Sequence, residues 1–251
     1  MMKKKVKIFD IVLIDAHWHA YLAANTMVDL LTAHASYTQL RAGEEAGKTL
    51  LRGFTTIRDA GGTLPGPRIY PSGAIISETG GHADFRMVYD IPEPFDCCGL
   101  THTEKIGAAI IADGVDAVIV ASRNNLRLGA SQIKLMAGGG VSSLYDQLED
   151  VQYFEDELHA AVMAAEDAGT YVMVHVYVPE AIRRAIRAGV KSIEHGQLID
   201  HRISSQISMP MCIDQSGHQK FSPPIDHFYF CSGNNRFGRY FPDRIVLDPY
   251  I

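Results

Sequence analysis

An α/β chain of repeated strand–helix units closed into a (β/α) barrel is the fold class this sequence predicts, on three observations. From residue 11 to about 199, short β-rich runs alternate with helix-length amphipathic segments, as expected of units wound around a parallel sheet. Gly53, Gly129, Gly169 and Gly189 each fall just after a helical segment and just before a strand, where a left-handed cap residue is wanted. His17, His19, Asp59, Lys134, His175 and His195 all lie at or just beyond the carboxy-terminal ends of expected strands, the face on which such barrels carry their chemistry. A doubly wound open sheet would also place ligands there, but no glycine-rich dinucleotide fingerprint follows the first strand.

In chain order, the expected strands are 11–15, 55–58, 74–77, 132–137, 171–175 and 192–195, each a short apolar or β-branched run. Between them the 3.6-residue period predicts a long helix over 27–51, a second over 103–128 with breaks, a third over 150–168 and a short fourth over 179–188. From residue 201 onward the chain loses helical period, so three segments are expected: 1–10, a barrel over 11–200 and an atypical tail over 201–251.

Composition bounds the function. The 251 residues are 47% hydrophobic and 21% charged, an ordinary globular balance with enough apolar material for an enzyme-sized core. The formal net charge of -6, with Lys3-Lys4-Lys5 the main basic block, argues against a nucleic-acid partner. Residues 3–14 imitate the start of a signal peptide, but Asp10 and Asp15 interrupt the apolar run and no small-residue cleavage site follows. No stretch approaches the roughly 20 apolar residues of a membrane span, so no membrane partner is expected. Cys97, Cys98, Cys212 and Cys231 form neither a C-x-x-C pair nor a disulfide framework, which fits a reducing cytoplasm. A homo-oligomer is compatible with all of this.

The chemistry concentrates in five residues. His17 and His19 end the run Val12-Leu13-Ile14-Asp15-Ala16, and in an extended strand residues i and i+2 share a face, so both imidazoles can address one ion. His175 and His195 each end a hydrophobic strand and stand one β–α unit apart, so adjacent strands would present them side by side. Lys134 interrupts the otherwise buried pattern Ile133-Lys134-Leu135-Met136. Burial lowers a lysine's pKa, and a neutral amine can add carbon dioxide to give a carbamate that bridges two cations. Alone, it reads equally as a buried stem whose amine reaches water.

Together, Asp15-Ala16-His17-Trp18-His19, Ile133-Lys134-Leu135-Met136, His175 and Glu194-His195-Gly196 resemble the metal signature of the amidohydrolase superfamily, nearest its imidazolonepropionase-like branch with zinc-dependent carboxypeptidases and Xaa-Pro dipeptidases (prolidases). Phe54-Thr55-Thr56-Ile57-Arg58-Asp59-Ala60-Gly61-Gly62, Gly66-Pro67-Arg68, Thr79-Gly80-Gly81-His82, Gly138-Gly139-Gly140-Val141 and His175-Val176-Tyr177 add local matches. The resemblance implies a (β/α)8 TIM-type barrel of the metal-dependent hydrolase kind and two zinc ions per chain. His17 and His19 would bind the first, His175 and His195 the second, and a carboxylated Lys134, formed from CO2, would bridge them. A metal-bridging hydroxide would attack an amide or peptide C–N bond of a dipeptide or other small-molecule substrate, with the cations about 3.5–4 Å apart. Tyr177 and His82 would hold the substrate's carbonyl or terminal carboxylate; a packed aromatic and a loop histidine are the alternatives.

The resemblance also implies an aspartate at the tip of the eighth strand, and the expected match ends near residue 200. Asp214, Asp226, Asp243 and Asp248 are candidates by residue type only. The short segment before the first strand would be the remnant of a β-sandwich, and the expectation is a barrel incomplete at its carboxy-terminal end through truncation or frame shift. Two other functions stay open: a cyclic amidohydrolase or deaminase, imidazolonepropionase-like with one metal, which Lys134 argues against, and a catalytically inactive metal-binding remnant.

Overall fold

A computed structural model describes residues 13–61, 67–90, 99–200 and 203, and the backbone of 212–214, 228–232 and 236–240. The amino-terminal segment 1–10, the Cys97-Cys98 pair, Gly62, Gly66, Asp226, Asp243 and Asp248 lie outside the described residues.

The chain opens with β1 (Leu13–Trp18), then three helices, α1 (Ala20–Ala24), α2 (Met27–Thr32) and α3 (Ala35–Leu51), and returns through β2 (Phe54–Asp59). Next come β3 (Arg68–Pro71), β4 (Ile75–Ser77), α4 (His102–Lys105), β5 (Ala109–Ile111) and α5 (Val115–Arg127). The regular units β6 (Ile133–Met136), α6 (Glu155–Asp167), β7 (Val172–Val176), α7 (Pro179–Arg187) and β8 (Ser192–His195) follow, and the tail contributes β9 (Cys212–Asp214), β10 (Phe228–Ser232) and β11 (Arg236–Tyr240).

Among the described strands every pairing is parallel except that of β10 with β11, which is antiparallel. One sheet runs β1-β2-β3 and the other β5-β4-β6-β7-β8-β9. Backbone and side-chain bonds stitch the two together where β3 gives way to β4: Ser131 N donates to Pro71 O (2.7 Å), and the Gln132 amide to Asp59 O and Tyr70 O. The result is the parallel α/β arrangement of a TIM-type barrel.

Strand alternation sorts the side chains. Ile133, Leu135, Val172, Val174 and Ile193 pack outward with Val118, Ala121, Leu158, Ala161, Ala165, Ile182 and Ala185 of the covering helices α5, α6 and α7. The intervening positions Lys134, Met173, His175, Ser192 and Glu194 therefore face the other way, into the barrel, and all are buried. Strands buried on both faces read as nearly continuous apolar runs, which is why the charges within them stand out.

Three expectations need correction. The helix expected over 27–51 is two, because extended residues Ala33 and His34 separate them; Thr26 and Asp29 form a capping box at the start of α2, and the His34 ring accepts from Ser36 N at the start of α3. The helix expected over 103–128 contains β5, set between Gly107 and Gly114, both at positive φ. The helix expected from residue 150 starts at Glu155, because Val151 bridges to Gly138 instead. β3 was not expected at all: its four residues alternate between exposed and half-buried and end in proline.

Candidate metal centre

The inward-facing residues of β1, β2, β7 and β8 meet at the carboxy-terminal end of the barrel. His17 lies within β1, and His19 caps α1 in extended conformation (φ -124°, ψ 105°), so the two imidazoles face the same way and their Nε2 atoms stand 3.1 Å apart. The His17 ring also lies 4.7 Å, centroid to centroid, from His195, which lies 4.6 Å from His175. Tyr177 stacks on His195 (5.3 Å) and meets His175 edge-on (4.9 Å), and His82 stacks on His175 (4.1 Å). His195 sits at φ +74°, a left-handed conformation that a non-glycine residue rarely adopts and that clusters at functional positions.

Lys134 is fully buried, and its effect on the surrounding rings locates it. Burial, then the neighbouring His17, Lys134 and His195, holds His19 well below the ordinary histidine value. Burial, then His82, His195 and Lys134, does the same to His175. His195 is pushed down to about 3 by burial, Lys134 and His17. Each ring therefore stays neutral across the physiological range, the form in which imidazole ligates a metal.

Beneath these rings lies a charged brace. Glu194 on β8 is fully buried and accepts from His17 Nδ1 at 2.5 Å. The Arg58 guanidinium grips both of its oxygens, at 2.8 and 2.9 Å, and also donates to Ser192 Oγ and Ala16 O. Burial alone would raise the Glu194 carboxyl, but Arg58 and His17 overcome it and hold the group far below the usual carboxylate range. An ionised Glu194 accepts a hydrogen bond from His17 Nδ1, which leaves Nε2 as the nitrogen turned toward His19 and the site. Sequence reasoning quoted Arg58 and Glu194 within motifs without assigning them this role. The signal was available: two opposite charges in strands otherwise suited to burial must pair.

Asp59, at the end of β2, acts on the same corner. One carboxylate oxygen accepts Ala20 N and Gly61 N, which anchors the start of α1 next to His19, while the other oxygen is buried with no hydrogen-bond partner. Burial pushes this carboxyl up to about 7 despite those two bonds.

Among the described residues, no three histidine, cysteine or carboxylate groups surround a single point as the side chains stand. The donor set nevertheless fits a metal pair. His19 Nδ1 is buried without a partner, the His19, His175 and His195 rings are neutral, and a buried amine that carboxylation would make an oxygen ligand sits among them. All five residues expected as ligands, with His82 and Tyr177, are thus brought together. Of the candidate aspartates, Asp214 falls within the described backbone, in register with Glu194 on β9.

A family model for the amidohydrolase family matches residues 12–215. The chain is 33% identical to the ochratoxinase of Aspergillus niger over 191 residues, covering 69% of this chain and 39% of that protein. A crystal structure of a prolidase complexed with N-methylphosphonate-L-proline superposes with a TM-score of 0.71 at 39% identity, over 80% of this chain and 51% of that one. A Xaa-Pro dipeptidase with bound methionine in its active site gives 0.66 at 31% identity, over 81% and 52%. The chain therefore spans about half the length of the proteins it matches, or less.

Proposed function

The chain belongs to the amidohydrolase family, a family that generally uses metal ions, and from that premise we propose that it is a binuclear zinc hydrolase of an amide C–N bond, of the dipeptidase or carboxypeptidase type. The observation that carries the reading is the contact of four imidazoles around a fully buried lysine, with the His17 imidazole braced by a buried Arg58–Glu194 pair. The likeness to a prolidase, a Xaa-Pro dipeptidase and an ochratoxinase supports a small substrate with an amide bond.

In this reading His17 and His19 would hold one ion, His175 and His195 the second, and Lys134, as its carbamate, would serve both as an oxygen ligand. The pair, when bound, supplies an acidified water as nucleophile and an electrophile for the scissile carbonyl. The chain's own groups do the rest. Glu194 fixes the His17 tautomer so that Nε2 faces the site, and Arg58 fixes Glu194. The low basicity of His19, His175 and His195 keeps protons from competing for their ligating nitrogens. The Tyr177 hydroxyl, kept protonated by burial, is a donor for the carbonyl oxygen as negative charge develops on it, and His82 contacts the substrate's polar end. The cytoplasm is the proposed setting. Among the described residues no helix is long and apolar enough to cross a membrane.

The test is metal content per chain by inductively coupled plasma mass spectrometry on protein expressed with bicarbonate, followed by a screen of Xaa-Pro dipeptides and acyl-amino acids. About two zinc ions per chain with turnover is the expected result. Fewer than one ion per chain overturns the metal reading, and metal uptake without turnover on any amide assigns the inactive, metal-binding alternative.

A further inference from the structure

The loop between β6 and α6 folds back onto His82 in a way that the metal centre itself does not require. Three consecutive glycines, Gly138 to Gly140, open it. A Cβ at Gly139 would run into the Gln147 carbonyl, and one at Gly140 would land on the His82 ring. That close approach brings Ser143 Oγ to 2.6 Å and Asp146 Oδ2 to 3.2 Å from His82 Nδ1. The Asp146 side chain is fully buried. Its carboxylate also accepts Gly140 N at 2.6 Å and the Ser143 hydroxyl. His82 is held from its backbone as well, its N–H donating to Gln152 Oε1 at 3.0 Å and its carbonyl accepting from Ser77 Oγ at 2.5 Å.

Counting protons decides the ring's state. Ser143 has one hydroxyl proton and spends it on the Asp146 carboxylate, so the oxygen it turns to His82 is an acceptor. Asp146 Oδ2 is an acceptor too. Nδ1 faces two acceptors and must carry the proton, which leaves Nε2 as the nitrogen available to a ligand.

The geometry points to Ser143 and Asp146 as positioning residues that lock His82 in its Nδ1–H tautomer, flat against His175, so that Nε2 is presented to the polar end of the substrate. The loop is a built holder for a substrate-contacting imidazole, one loop removed from the metal ligands. The tautomer stands on the hydrogen-bond pattern alone; its consequence for turnover rests on the hydrolase reading.

The experiment reads the two separately. Long-range nitrogen–proton correlation spectra of the 15N-labelled, zinc-loaded chain report which His82 nitrogen bears the proton, with His82→Gln used for assignment. The expected result is Nδ1–H in the parent and a mixed or Nε2–H population in Asp146→Ala, at unchanged zinc content. Asp146→Asn and Ser143→Ala read the same signal if Asp146→Ala does not fold. On whichever dipeptide is turned over, Asp146→Ala should raise KM about tenfold with a smaller change in kcat, the loss expected of one charge-assisted hydrogen bond. It should add nothing further in a His82→Gln background. An Nε2–H ring in the parent, or His82 signals that Asp146→Ala and Ser143→Ala both leave unmoved, overturns the proposal. Absence of turnover in the parent with the expected tautomer rejects the hydrolase reading and leaves the positioning role standing.

Discussion

Arg58 and Glu194 lie 136 positions apart in sequence yet close an ion pair in the barrel interior, one guanidinium nitrogen donating to both carboxylate oxygens, and His17 depends on both. Losing one partner of a buried pair leaves an uncompensated charge, so Arg58→Met should cost about 3–5 kcal/mol in urea unfolding. A loss under about 1 kcal/mol would show that water already reaches Glu194. Glu194→Gln keeps the shape but removes the charge that fixes the His17 tautomer; zinc affinity measured against a competing chelator should fall roughly 10–100-fold. Asp59 has the opposite character, a carboxyl whose folded pKa of about 7 lies above its ordinary value. Its contribution to stability is fully present below the unfolded pKa, near 3.9, and is lost as pH rises toward 7. Asp59→Asn keeps an acceptor for Ala20 N and Gly61 N, so its urea midpoint at pH 8 should exceed the parent's, with the difference vanishing near pH 4.

The elements were legible in proportion to how far their patterns are local. β6, β7 and β8 were readable because a strand buried on both faces is an apolar run bounded by a capping glycine, and the charge or histidine within it marks the inward position. β5 was not, since Ala108 to Ala112 can continue a helix as easily as form a strand; its pairing with β4 decides the matter. The break between α2 and α3 was hidden for a similar reason, as the apolar period runs through Ala33 and His34 while their extended backbone does not. The β6–α6 loop yields a prediction of its own. Gly140→Ala forces either the loop or the His82 ring to move, so amide hydrolysis should drop at least tenfold while zinc content stays unchanged. Zinc lost together with activity would show that the loop supports the ligands as well.

Across the molecule, the depressed histidines set the response to acid. A histidine whose folded pKa lies below its unfolded value contributes stability that is present above the unfolded value near 6.5 and is lost as pH falls through the window down to the folded one. For His195 that window runs to about 3, and His19 and His175 act in the same direction, against the carboxyls of Asp59 and Glu78, which burial raises. Metal-free protein should therefore lose a few kcal/mol between pH 7 and pH 5, read as a falling urea midpoint. Zinc at about 100 times its Kd should add about 2.7 kcal/mol at pH 7, and a chelator should lower Tm correspondingly. A midpoint flat from pH 7 to 5 would contradict the burial of these rings. What the sequence determined by itself was whatever alternation and spacing encode locally: parallel strand–helix units, a histidine pair on one strand face, and a buried lysine in a strand with no local reason for it. Only the tertiary structure decided which charge answers which. The Arg58–Glu194–His17 brace and the Ser143–Asp146 hold on His82 join residues across the barrel mouth, and such contacts depend on which strands become neighbours and how closely a glycine loop can approach, neither of which leaves a period in the chain.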